Sequence, residues 1–190
     1  MDSSELIERY QSGERSFARV DLEGAELKGA VLANADLSSA NLSHATLDSA
    51  DLSHADLRWV NLRDASLKKA VLTGARLNGA NLRGANLSRA DLREAVLEGA
   101  SLEATNLTRA DLSQASLWGT NMEEVRLRKA DLKGANLEMA ALGGADFAEA
   151  DLTGASLRGA YLEGARASHE QLAMAASLEE ATLPDGTKHP

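Results

Sequence analysis

The sequence predicts an all-β solenoid, a chain wound into stacked coils, instead of a bundle of α-helices. A five-residue pattern, plainest in ANLRGANLSRADLRE at residues 80–94, continues without insertion or deletion from residue 15 to residue 164. A period of five matches neither the 3.6 of an α-helix nor the 2.0 of a plain strand. Only 3% of the residues are aromatic, so Leu and Ala must form the core.

The centre of the pattern recurs thirty times from Phe17 to Leu162, and 27 of these centres are Leu. The other three are Phe17, Met122 and Phe147. The residue two positions before the centre is Ala in 24 of the thirty repeats. One large and one small apolar residue are therefore expected to point inward in every repeat. The residue two positions after the centre is often Gly, which predicts a turn with positive φ.

The pattern A-[DN]-L-x-x resembles the pentapeptide-repeat family over residues 15–164. The ELIERY start and the LPDGT end resemble small bacterial, and in particular cyanobacterial, members. The resemblance implies a right-handed quadrilateral parallel β-helix with four repeats per coil, which makes about 7.5 coils from thirty repeats. We expect a single solenoid domain over 1–190, with an N-terminal cap helix in 2–13 and a C-terminal cap helix and tail in 165–190.

The ends of the chain depart from the pattern, as the ends of a solenoid must if they are capped. The first ten residues after Met1 predict a short helix with Ser3 or Ser4 near its N-cap, and Ser168 with Gln171 predicts a capping box that opens a second helix. SLEEATL, from Ser177, then returns to the pattern one residue out of phase, and the final residues are expected to fray. Four apolar residues either cover the last coil or form the seam of an end-to-end homodimer: Leu172, Met174, Leu178 and Leu183.

Nothing in the sequence predicts catalysis. The absence of Cys excludes a thiolate nucleophile and a Cys-ligated metal, and it suits the cytoplasm. His44 and His54 are expected on opposite sides of the rod, while His169 and His189 have no partner at ligand spacing. The Asp and Asn residues before the centres are expected to serve turns and side-chain ladders instead of calcium. We therefore predict a protein that is not an enzyme, with no catalytic, cofactor or metal residues.

The predicted coils place every twentieth residue in one column, and two surfaces stand out. A basic strip crosses the third face, with no Asp or Glu between Asp48 and Asp146, and it is followed in the chain by a column of aspartates. The basic strip consists of Lys68, Lys69, Arg89, Arg109, Arg126, Arg128 and Lys129. The aspartate column consists of Asp51, Asp91, Asp111, Asp131 and Asp151. The tryptophan face, which is the first face, carries Trp59, Trp118 and Met139 on outward positions beside several glycines.

Each surface allows two interpretations. The basic strip either compensates the neighbouring aspartates or binds an acidic partner. The tryptophan face is either an interface or a set of unremarkable exposed side chains. A formal net charge of -9 disfavours direct nucleic acid binding, and no apolar stretch predicts a membrane span. The leading hypothesis is a protein–protein interaction scaffold with an unknown partner. The alternative is a DNA-mimic inhibitor of a type II topoisomerase, DNA gyrase, of the quinolone-resistance type, against which the basic strip argues.

Overall fold

Each repeat folds as one extended residue followed by a turn. The computed structural model describes residues 1–190. The residue before each centre forms a single parallel β-bridge with the residue twenty positions later, from Ser16↔Asp36 to Asp146↔Arg166. Since a repeat has five residues and a coil has twenty, the chain forms a four-sided parallel β-helix in which no strand is longer than an isolated bridge.

We number the four faces in chain order by their first centres, which are Phe17, Leu22, Leu27 and Leu32. A column is one repeat position on one face, followed along the axis through successive coils.

The backbone hydrogen bonds of one repeat show how the coils are held together. The N–H of Asn86 donates to the previous coil (2.9 Å), and the N–H groups of Leu87 and Arg89 donate to the next coil (2.8 and 3.0 Å). The N–H of Ala90 closes the turn on the carbonyl of Leu87 (3.0 Å). The N–H of Ser88 donates to Oδ1 of Asn86 (3.1 Å). All five N–H groups of this repeat are therefore satisfied within the chain.

The core confirms the inward positions predicted from the sequence. Every centre is at most 2% exposed, including Phe17, Met122 and Phe147. Each buried Leu contributes roughly 2 kcal/mol of burial free energy. Thr105 and Thr120 replace Ala in the small column, and their hydroxyls donate to main-chain carbonyls at 2.7 Å in both cases. The interior is therefore a packed column without room for a ligand.

The turn residue two positions after each centre has a left-handed conformation whether or not it is Gly. Here φ lies near 65° at Gly24 and near 60° at Trp59 and Arg109. The sequence predicted this conformation from the glycines alone. A non-Gly residue in this region costs about 1–3 kcal/mol, so the surrounding hydrogen bonds must enforce it.

Helix α1, Ser3–Gln11, covers the first coil. Its N-cap is Asp2, whose Oδ1 accepts from the N–H of Glu5 (2.9 Å), and Ser3 and Ser4, which were predicted near the cap, are the first two residues of the helix. An aspartate accepts this bond as well as a serine does, and it also suits the positive end of the helix dipole. Leu6 is fully buried, and the Tyr10 hydroxyl donates to the carbonyl of Ala33 (2.9 Å). The helix is thereby fixed on the core.

Helix α2, His169–Ala173, interrupts the last coil. The predicted capping box is present, because Ser168 Oγ accepts from the N–H of Gln171 (3.1 Å) and Gln171 Oε1 accepts from the N–H of Ser168 (3.0 Å). The coil then resumes with a bridge spacing of 21, starting at Ser156↔Ser177, which is the expected shift of one residue. Lys188 pairs antiparallel with Thr182, so the prediction that the final residues fray is wrong.

Candidate binding surfaces

The basic strip forms an open groove on the third face. The groove has a volume of about 350 Å³, and no carboxylate lines it. Its lining residues are Ser88, Arg89, Thr108, Arg109, Arg128 and Lys129. The other predicted members of the strip, Lys68, Lys69 and Arg126, lie outside this lining. Ser88 and Thr108 were missed because the sequence was searched for charge, whereas the polar column one position after the centre would have shown them.

Only part of the strip is neutralised within the chain. Arg128 pairs with Asp146 (3.5 Å) and Lys129 with Glu149 (3.2 Å), both on the same face. At the other end Lys68 lies 3.9 Å from Asp48. Lys69, Arg89, Arg109 and Arg126 take part in none of the salt bridges of the molecule. The middle of the strip is therefore a run of unpaired cations.

Side chains at the turn position lean toward the coil that follows. A Cβ atom placed on Gly79 would collide with the ring of Trp59, one coil earlier, and Lys129 reaches Glu149 in the same direction. The column Lys69, Arg89, Arg109 and Lys129 consequently stacks like charge on like charge. Such stacked cations repel each other, and the repulsion is relieved at the Glu149 end alone.

The carboxylates of the aspartate column have hydrogen-bond and ion-pair partners on their own face. Asp91 accepts from the N–H of Arg93 (3.2 Å) and from Nε and Nη2 of the same guanidinium (2.8 and 2.6 Å). Lys133 pairs with both Asp131 (3.0 Å) and Asp151 (3.1 Å). None of these ion pairs comes from the basic strip. The strip therefore forms no direct ion pair with the aspartates, and compensation of charge between the two faces at longer range stays a prediction.

Two pKa values reflect these local bonds. The hydrogen bond from the Arg93 side chain lowers the pKa of Asp91 below its usual value. The hydroxyl and the N–H of Thr153, with a smaller effect of Lys133, lower the pKa of Asp151 to about 2. Both carboxylates are stabilised in the ionised form by the turn that they cap.

A backbone N–H that donates to the side chain of the Asp or Asn two residues earlier recurs along the chain. The predicted ladders of side-chain hydrogen bonds between coils are also present. Asn41 donates to Asp21 (3.0 Å), Asn61 donates to Asn41 (3.0 Å), and Asn81 donates to Asn61 (3.2 Å), all on the second face. The Asp and Asn residues before the centres therefore have a structural role in the turns and between the coils.

The tryptophan face does not gather its apolar residues into one patch. Trp59, Trp118 and Met139 are 69%, 51% and 59% exposed, but three coils separate the two tryptophans. The Trp59 ring covers Gly79, and a Cβ on Gly159 would collide with Sδ of Met139. The side chain of the preceding coil therefore covers the backbone at both of these glycines. Gly99 and Gly119, in contrast, have nothing within 4 Å of such a Cβ.

The predicted cap or dimer residues take two different positions. Leu172 is 5% exposed, and Leu178 and Leu183 are partly buried against the core of their own chain. Met174 is 54% exposed. Three of the four residues therefore cover the last coil, and Met174 faces outward. Whether the protein is a monomer or an end-to-end homodimer stays a prediction.

The histidines are dispersed, with His44 on the second face, His54 on the fourth, His169 at the start of α2 and His189 in the tail. No group of three His, Cys, Asp or Glu side chains is placed to hold a metal ion. No helix is long and apolar enough to cross a membrane.

The family description "Pentapeptide repeats" matches the chain in eight copies. The matched residues are 16–53, 50–89, 70–109, 105–138 and 130–166. No curated protein matches the sequence.

Several solved structures are similar to the chain. HetL, a pentapeptide repeat protein involved in heterocyst differentiation regulation from the cyanobacterium Nostoc sp. strain PCC 7120, is 33% identical over 100% of both chains, with a TM-score of 0.48. A pentapeptide repeat protein from the Arabidopsis thaliana thylakoid lumen is 30% identical over 53% of this chain and 67% of its own, with a TM-score of 0.45. Full-length QnrB1, a plasmid-mediated fluoroquinolone resistance protein, is 19% identical over 90% of this chain and 92% of its own, with a TM-score of 0.58.

The family match spans most of the chain and coincides with the repeats that form the coils. The likeness to QnrB1 shows a shared fold and nothing more. Proteins with these repeats fold as right-handed quadrilateral β-helices, which agrees with the four-sided coil described above. The chain belongs to the pentapeptide-repeat family.

Proposed function

We propose that this protein is a non-enzymatic scaffold that binds an acidic protein partner through the basic strip. One observation carries the proposal: a groove lined by four cations and no carboxylate, in which Arg89 and Arg109 have no ion-pair partner. Unpaired stacked cations favour an anionic ligand, because its charge relieves their repulsion. These cations lie together on one face of a chain whose net charge is -9.

Affinity capture tests the proposal directly. We expect the double variant Arg89→Glu with Arg109→Glu to lose the bound partner that the wild-type protein retains from native extract, because the middle of the groove becomes anionic. Binding by the wild-type protein should also weaken as salt is raised from 50 to 500 mM, since the interaction is largely electrostatic.

The matched control is Arg63→Glu with Arg83→Glu on the second face, which changes the net charge by the same amount. This control should retain the partner. Equal retention by both double variants would overturn the role of the strip.

The tryptophan face is a second candidate surface, because Trp59 and Met139 are large apolar side chains that are more than half exposed. Three coils between the tryptophans make it a weaker candidate than the groove. Changing Trp59 and Trp118 to Ala should reduce capture of a partner if the face is an interface. Unchanged capture would assign these residues to neutral surface.

The DNA-mimic alternative is distinguished by a supercoiling assay with purified DNA gyrase. The basic strip opposes that function, because an anionic duplex surface does not carry a run of cations. Inhibition at stoichiometric concentration would replace the scaffold proposal with this alternative. A reducing compartment such as the cytoplasm suits the proposed scaffold, which has no Cys to protect.

A further inference from the structure

The groove recognises a partner by side chains alone. In the repeat of residues 86–90 all five backbone N–H groups are already bonded within the chain, and the same holds for residues 106–110. A partner strand that paired along this face would need free donors and acceptors of the backbone. Strand addition to the side of the rod is therefore excluded, and the partner must meet the guanidinium and ammonium groups with carboxylates of its own.

The spacing of the cations selects the conformation of the partner. The turn column places one cation per coil at Lys69, Arg89, Arg109 and Lys129, so successive cations are roughly 4.8 Å apart and the four span roughly 14.4 Å. An α-helix with acidic residues spaced three, four and three positions apart spans about 15 Å at a rise of 1.5 Å per residue. In an extended strand, four side chains on one face span roughly 20 Å. The helix matches the column to about 1 Å, whereas the strand misses it by more than 5 Å.

The faces beside the groove limit how much negative charge the partner can carry around its circumference. The fourth face begins with Asp91, Asp111 and Asp131, two residues after the cations of the turn column. The second face carries Glu103, Glu123 and Glu124. Asp91, Asp131 and Glu103 are paired with cations of their own faces, but Glu123 and Glu124 take part in no salt bridge. A nucleic acid duplex presents phosphates to every side and would be repelled by these two glutamates. A helix with one acidic face presents its carboxylates to the groove alone.

Resting on the proposed function, we propose that the partner segment is an amphipathic α-helix whose acidic residues recur once per turn. This helix lies along the axis of the rod on the third face. Each of its carboxylates faces one coil.

Two synthetic peptides of about 15 residues and identical composition test the proposal, each rich in Ala and Gln and containing four Glu. In the first peptide the Glu residues are spaced three, four and three positions apart, on one helical face. In the second they are distributed around the helix. We expect the first peptide to bind about tenfold more tightly to the wild-type protein by fluorescence anisotropy, and to gain helical circular dichroism on binding. Both effects should disappear with Arg89→Glu and Arg109→Glu, and both should persist with the matched control Arg63→Glu and Arg83→Glu.

The outcomes separate this inference from the proposed function. Equal binding of the two peptides, lost together in the Arg89→Glu and Arg109→Glu protein, would overturn the helix and leave an acid-binding strip. If neither peptide binds while the wild-type protein still captures a strip-dependent partner, the helix is again wrong. If that double variant also captures the same proteins as the wild type, the proposed function fails as well. Tighter, strip-dependent binding of a short DNA duplex would overturn the class of partner.

Discussion

The basic strip and the aspartate column are both stacks of like charge on adjacent faces, but the middle of the strip lacks the local partners that the aspartates have. Asp91 and Asp151 each cap the turn of their own repeat, and Arg93 and Lys133 supply the opposite charge. Arg89 and Arg109 lie two residues before this column and have no such partner. A stack of charge is therefore explained by the fold when each member has a local partner. A stack without local partners indicates a ligand.

The largest expected effect on stability comes from replacing one aspartate of the column. Asp91→Ala removes three hydrogen bonds from Arg93 and should lower the free energy of unfolding by about 1–2 kcal/mol. Asp91→Asn should cost less, because an amide oxygen accepts the turn N–H, as Asn86 does for Ser88 (3.1 Å). Chemical denaturation measures both variants. An unaffected midpoint for the Ala variant would show that the column is not structural.

Acid should weaken the aspartate column and leave the strip unaffected. The pKa of Asp151 is about 2 in the folded protein, below the value of about 3.9 expected in an unfolded chain. Its contribution to stability is therefore complete above about pH 4 and is lost as the pH falls toward 2.

Thermal unfolding at steps between pH 5 and pH 2 tests this sign. Asp151→Asn should show a smaller loss of stability than the wild type across that window, whereas Arg109→Ala should retain the full loss. Parallel curves for Asp151→Asn and the wild type would contradict the assignment.

A glycine in the strip should increase stability. Arg109 has φ of 60°, and Gly adopts this conformation without strain, so Arg109→Gly should raise the free energy of unfolding by about 0.5–1 kcal/mol while it weakens capture of the partner. The matched change at the neighbouring position, Thr108→Gly, has no positive φ to relieve and should not stabilise the protein. A destabilised Arg109→Gly would show that the arginine has a structural role after all.

The smallest change in stability is expected when two charges of the strip are removed by substitution with Ala. Arg89→Ala with Arg109→Ala should change the free energy of unfolding by no more than about 0.5 kcal/mol, because neither side chain has an ion-pair partner to lose. Chemical denaturation of this double variant and of Asp91→Ala, measured side by side, compares the two columns. A loss as large as that of Asp91→Ala would remove the distinction between the two columns.

The sequence allowed the coil to be predicted because its core is periodic. Leu centres such as Leu87 recur every five residues, and the family resemblance added the number of sides. The sequence also showed which residues share a column, and with them the strip. It could not show that Lys129 reaches Glu149 while Arg109 reaches no carboxylate, because pairing depends on the direction of side chains at each turn. Asp2 was missed as the first cap because three consecutive residues there can all act as N-caps.

The lean of the turn side chains gives the rod a direction. His54 covers Gly74, Gln114 covers Gly134 and Met139 covers Gly159, each pointing from an earlier coil to a later one. Asp64 covers Gly84 on the second face, and Lys129 reaches Glu149 on the third. On all four faces, therefore, turn side chains point from the N-terminal cap toward the C-terminal cap. A molecule that lies along such a surface meets a different profile when it is turned end over end. One orientation of a bound segment should therefore be preferred even where the repeats beneath it are nearly identical.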